Sequence, residues 1–144
     1  MRRLRNLLII ISTVIFSSLS VNSLLYANMP IEDILRSIVG EASGESFRGK
    51  VAVAEAIRNR GHLRGVYGLR ASHIKSQPKQ VWVDAKRAWE ISKNSNYSKG
   101  ATGWGNKKDL ESFKKTKWWK NCEIVAQVGG HYFYKEKKLG RRGK

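Results

Sequence analysis

The chain has 144 residues, 41% of them apolar and 10% aromatic, which suits one domain with a packed core and excludes wholesale disorder despite 27% charged residues. Its formal net charge of +17 points to an anionic partner, and the single Cys122 excludes an internal disulfide framework and multi-cysteine metal sites. Three histidines without a helical i, i+4 pair argue against a zinc peptidase or amidase, and neither a G-x-S-x-G turn nor a phosphate loop is found.

The chain opens with "MRRLRN", then an apolar run "LLIIISTVIF" and a small-residue region ending at Ala27, the layout of a secretory signal peptide over residues 1–27. The uninterrupted apolar run is about half of the ~20 residues that a spanning helix needs, so a retained signal anchor is the competing reading. Cleavage after Ala27 removes Arg2, Arg3 and Arg5 and no acid, leaving 117 residues at +14. The expectation is an exported protein, with residues 28–135 as the domain and 136–144 as a basic tail.

Pro30 suits a first helical turn, with Glu32 and Asp33 at the positive end of the helix dipole. Ile31, Ile34, Leu35, Ile38 and Val39 then form one stripe, and continuing its phase places Glu41 on the buried side near the C-terminal end. "SGES" breaks this helix. Ser46 is positioned to cap a second helix from Phe47 to Arg60, apolar over most of its circumference and ended by Gly61. Residues 61–77 lack a period and read as an ordered surface loop. Pro78 opens a third helix with Val81, Trp82, Ala85, Ala88 and Trp89 inward. The polar, glycine-rich stretch 94–108 is long enough to be functional. Beyond it, Asp109 is expected to cap a short helix to Lys115, and Thr116 a further helix carrying Trp118, Cys122 and Val125 inward. "GGHYFYK" reads as a turn and a short strand, with His131 and Phe133 on one face and Tyr132 and Tyr134 on the other. Cys122 reads as a small buried apolar residue rather than a nucleophile.

Glu41 is the sharpest chemical signal. Desolvation and the negative end of its helix both favour the neutral carboxyl, the form required of a general acid. A structural ion pair with Arg58 or Arg60 accounts for the same placement, and spacing alone leaves both readings open. Most other acids fall at cap positions or exposed helix faces. Glu45 lies near Glu41 and reads either as a pre-helix residue or as an accessory carboxylate. His62 and His73 sit in the basic loop, and His131 is read as packing.

The block "SIVGEASGESFRGKVAVAEAIRNR" (37–60) resembles the opening signature of the SleB-type cell-wall hydrolases, which include the spore-cortex-lytic enzymes. The resemblance continues through "DAKRAWEI" (84–91), "GAT" (100–102) and "VGGHYFY" (128–134). It implies a predominantly helical α+β fold: a lysozyme-like single domain with a small β element. It also implies attack on the muramoyl–glucosaminyl bond of peptidoglycan, with Glu41 in the place of the catalytic glutamate. Where that family continues "GATHFYNP", this chain has "GATGWGNK" (100–107), so Trp104 is expected to offer a ring face to a sugar. Thr102, Trp104, Asn106, His131 and Tyr134 are the candidate substrate-binding residues. One acid without a fixed partner suits a lytic transglycosylase. A muramidase needs a second placed carboxylate, and a basic wall-binding module without catalysis is the reading from another class. The implied partners are peptidoglycan and anionic wall polymers, with no specific nucleic acid, no cofactor or metal, a monomeric chain, and membrane contact only through a retained anchor.

Overall fold

The structure, a computed structural model, describes residues 29–138; the signal segment and the last residues of the basic tail lie outside it. Helix α1, Ile31–Ala42, starts after Pro30 and carries Glu32 and Asp33 in its first turn. Ile34, Ile38, Val39 and Ala42 are buried along it, whereas Ile31 is 55% exposed and falls off the stripe. Ser46 accepts a hydrogen bond from the Gly49 N–H (3.2 Å) and starts α2, Phe47–Arg60, which ends on Gly61 at φ 74°. Every residue from Gly49 to Ile57 is buried, so α2 is the central helix. Ala52, Ala54 and Ala56 allow that because a methyl side chain lets neighbours approach closely. Helix α3, Lys79–Ile91, follows two 3₁₀ turns at Tyr67–Arg70 and Ser72–Ser76. Ala85, Ala88 and Trp89 are buried on it, with Val81 and Trp82 packed against the same core. Arg58 clamps α2 to the end of α3, donating to the Trp89 carbonyl (2.8 Å) and the Ser92 hydroxyl (3.0 Å) with its guanidinium over the Trp89 ring. The ion pair considered for Arg58 and Glu41 is therefore not formed.

The C-terminal part departs from the sequence-based expectation. Strand β1, Gly103–Gly105, lies in the stretch expected to be only a loop. Helix α4 spans Lys107–Phe113 and is capped by Asn106, not Asp109; Asp109 closes the capping box by accepting from the Asn106 N–H (3.0 Å). The expected helix after Thr116 is instead a 3₁₀ turn, Trp118–Asn121, followed by strand β2, Cys122–Val128. Thr116 donates back to the Phe113 carbonyl. Strand β3, His131–Glu136, pairs antiparallel with both others in the order β1-β3-β2. Val128 faces His131 across Gly129–Gly130, with Gly129 at φ 58°. A two-glycine hairpin between β-branched and aromatic runs outcompetes a helix there. Phe133, fully buried, carries the sheet into the helical core.

One buried acid joins the halves. The Glu55 carboxylate, on α2, accepts from the Tyr97 N–H (3.0 Å) and the Ser98 N–H (2.7 Å), and the Asn59 amide one turn on donates to the Ala101 carbonyl (3.0 Å). Glu55 is therefore an exception to the exposed positions expected of the acids. Together Glu55 and Asn59 fix the backbone that leads into β1. Glu55→Ala is expected to cost about 2–4 kcal/mol in urea unfolding, because two N–H groups lose a charged acceptor.

Candidate active site

Glu41, on the last turn of α1, is part-buried where the helical core meets the sheet. Its Oε1 accepts from the Gly68 N–H at 2.5 Å and its Oε2 from the Trp104 indole Nε1–H at 3.0 Å. Each donor depends on close approach. A Cβ on Gly40 would collide with the Gly68 carbonyl, and one on Gly68 would lie 2.5 Å from Glu41 Cγ. Each carboxyl oxygen thus accepts one N–H, a geometry that fixes the direction of the carboxyl.

Three cavities form a chain around this carboxyl. One of about 370 Å³ contains Glu41, Arg60, Tyr67, Trp104, Phe113 and Tyr134. A second of about 420 Å³ lies on the other side of Glu41, against Glu45, His73, Asn106 and His131. The third, about 450 Å³, does not reach Glu41 but shares Arg60 and Tyr134 with the first and extends to Thr102 and Trp118. Glu41 thus borders two of the three cavities, which together outline a groove rather than a closed pocket. Such a groove suits a polymer.

Of the residues singled out from the sequence, Glu41, Trp104, Asn106, His131 and Tyr134 all line a cavity that contains or adjoins Glu41, and Thr102 lies in the third cavity. Trp104 differs from the expectation in its surroundings. It is only 8% exposed, with its indole N–H directed at Glu41 rather than its ring lying open. A Cβ on Gly103 would strike the Tyr134 ring, so the glycine makes room for that ring against β1. Asn106 accepts from the Asp109 N–H (3.0 Å) as the α4 cap. His131 Nδ1 lies 3.3 Å from Glu45 Oε1, outside hydrogen-bond alignment, while Glu45 Oε2 accepts from the Gly130 N–H (3.2 Å). Glu45 therefore ties the α1–α2 turn to the β2–β3 hairpin.

Sequence reasoning missed Gly68, whose contribution is a backbone N–H, and the aromatic cluster of Phe113, Trp118, Trp119 and Tyr134. In that cluster Trp119 and Tyr134 meet edge to face at 5.1 Å between centroids. Burial pushes the Tyr134 phenol above its ordinary value, with Arg60 opposing, so its hydroxyl remains a neutral donor. Burial likewise raises the Cys122 thiol, which disfavours the nucleophilic thiolate. Among the described residues no group of three or more His, Cys, Asp or Glu could hold a metal ion.

Trp104→Phe keeps most of the ring volume and deletes one Glu41 donor. The protein is expected to lose about 1.5–3 kcal/mol of stability, measured by urea unfolding, because a hydrogen bond to a charged group is lost.

A helical body packed on a small antiparallel sheet, with the Glu41 carboxyl where the two meet, is the lysozyme-like α+β fold. More narrowly, the fold is that of the SleB catalytic domain. The chain is similar to the catalytic domain of the germination-specific lytic transglycosylase SleB from Bacillus anthracis, with a TM-score of 0.52, 22% identity and coverage of 76% of this chain and 97% of that one. It is also similar to the catalytic domain of the Bacillus cereus SleB protein, with a TM-score of 0.49, 19% identity and coverage of 76% and 94%. No family model matches the sequence, and neither does any curated protein.

Proposed function

We propose that the protein is an exported lytic transglycosylase that cuts the muramoyl–glucosaminyl bond of peptidoglycan, with Glu41 as general acid and then general base. The observation that carries this is the placement of Glu41: bordering two cavities of the groove, with one N–H donor fixed on each carboxyl oxygen. The protonated carboxyl gives its proton to the glycosidic oxygen as the bond to the anomeric carbon breaks. The resulting carboxylate, which the Gly68 and Trp104 donors hold in direction, then takes the proton of the muramoyl 6-hydroxyl as that oxygen attacks the anomeric carbon. The product carries an anhydro end, and no water is consumed.

The neighbouring acids favour this over hydrolysis. Asp109 borders the same cavity as Glu41 but closes the α4 capping box. Glu45 borders the other and accepts from the Gly130 N–H of the hairpin. Among the described residues, the two other acids that border a cavity containing Glu41 are thereby tied to the fold, whereas an inverting or retaining glycosidase requires a second placed carboxylate to act with the acid. The shared fold with a lytic transglycosylase catalytic domain supports the same reaction class. Thr102, Asn106, His131 and Tyr134 line the path of the glycan, with Trp104 holding Glu41. The signal segment would deliver a monomer to the wall, where its basic surface meets anionic polymers.

The test is mass spectrometry of soluble products from purified peptidoglycan. Anhydromuramoyl ends are expected. Reducing ends would instead mean hydrolysis and return Glu45 to the role of second carboxylate. Firm pelleting with the wall and no release would favour the binding module.

A further inference from the structure

We propose that the cavity bordered by Arg60, Thr102 and Trp118 is a carboxylate-binding subsite in which Arg60 anchors the acidic substituent of a muramoyl residue. This rests on the reading of the groove as a peptidoglycan site and specifies which substrates it prefers. Arg60 sits in the last turn of α2 and lines both this cavity and one that contains Glu41. Among the described residues it forms no ion pair and no side-chain hydrogen bond. The Trp104 ring lies 5.9 Å from the guanidinium, and Gly65, beside its terminal nitrogen, has no side chain to crowd it. A half-buried guanidinium with its forked donors unspent, at the junction of two cavities, is matched to a planar carboxylate. The ion pair considered for Arg60 and Glu41 is not formed, which leaves the guanidinium to a ligand.

The surrounding groups suit that ligand. Asn59, Thr102 and the neutral Tyr134 hydroxyl add hydrogen-bonding partners on the same cavity, and Trp118, 45% exposed, supplies an apolar wall. Asp109 is occupied by the Asn106 N–H, and Glu41 by its two donors. Glu136, exposed at the end of β3, is the one carboxylate bordering this cavity. A glycan threaded past Glu41 would bring the lactyl group of an adjoining muramoyl unit, or the peptide attached to it, toward Arg60. Both sources carry the same chemistry, a carboxylate on the muramoyl side of the strand.

The experiment uses the Glu41→Gln protein and defined oligomers of alternating N-acetylglucosamine and N-acetylmuramic acid. They are prepared in three forms: free lactyl carboxylate, peptide-bearing, and lactyl carboxylate capped as a neutral methylamide. Calorimetric titration is expected to show roughly 10- to 100-fold tighter binding of an acidic form than of the methylamide. Adding Arg60→Gln should erase that difference while methylamide binding stays unchanged, and Arg60→Lys should restore part of it. Preference for the free lactyl acid places the carboxylate on the sugar; preference for the peptide form alone places it on the stem. An equal loss for all three oligomers on Arg60→Gln, or no loss for any, overturns the proposal. Because the readout is binding, a wild-type protein that cleaves but ignores the charge refutes the subsite alone. One that discriminates charge but never cleaves refutes only the reaction.

Discussion

Glu41→Gln is expected to lower glycan-cleaving turnover by about 10²- to 10⁴-fold, the range that a placed general acid contributes. The substitution is close to isosteric, so the α1 helix and the groove keep their shape. The amide oxygen can still accept from the Gly68 N–H, but the amide NH₂ then faces the Trp104 indole N–H, donor against donor. That mismatch accounts for a stability loss of about 1–2 kcal/mol. Turnover and unfolding therefore separate: a large kinetic defect on a protein that still melts cooperatively. Glu41→Asp tests position rather than chemistry. It keeps the acid but withdraws it by one methylene from both donors, and misplacement on the order of 1 Å costs roughly 10²-fold. Product release from labelled peptidoglycan, run beside thermal melts of all three proteins, checks both expectations. If Glu41→Gln cleaves within a few-fold of wild type, the assignment of Glu41 fails. The acids left to consider would then be Glu45 and Asp109, which border the same groove.

The helical half of the molecule was legible because its signals are local. Ser46, Gly61 and Pro78 bound α2 and α3 through capping and backbone geometry that each residue carries by itself. The phase of the α1 stripe was enough to turn Glu41 inward. The sheet was harder to read. Trp118, Cys122 and Val125 recur at helical spacing, and only Gly129–Gly130, opposite a partner strand, decides for a hairpin. Strand β1 has glycine at two of its three positions, so its pairing with β3 is a tertiary fact with little local signal. The site divides in the same way. Glu41 could be found as a misplaced acid, but its donors could not. One is the backbone N–H of a loop glycine, and the other is the edge of a tryptophan whose ring had been the expected contact. Glu55 was passed over because two loop N–H groups that justify its burial lie more than 40 residues away.

That dependence on a backbone donor makes Gly40→Ala the second large effect. Within a helix, alanine is intrinsically better than glycine by about 1 kcal/mol, so local propensity predicts stabilisation. Packing predicts the reverse. The added Cβ would collide with the Gly68 carbonyl oxygen and come within 2.7 Å of Gly68 Cα. These are backbone atoms, with no side chain able to rotate aside, so α1 and the Tyr67–Arg70 turn must separate. Overpacking of this kind costs about 1–3 kcal/mol or more, which outweighs the propensity gain. The same separation carries the Gly68 N–H away from Glu41, so turnover should fall with stability instead of independently of it. Gly44→Ala is the matched control. It lies in the turn after α1, at no positive φ, and a Cβ there would meet nothing within 4 Å. Its expected effect is neutral to stabilising by about 0.4–1 kcal/mol, through a less flexible unfolded chain. Urea midpoints and turnover for the pair decide the matter. A Gly40→Ala protein as stable and active as its Gly44→Ala counterpart would mean that the α1 contact with Gly68, and with it the fixed geometry of the carboxyl, is not what sets the site.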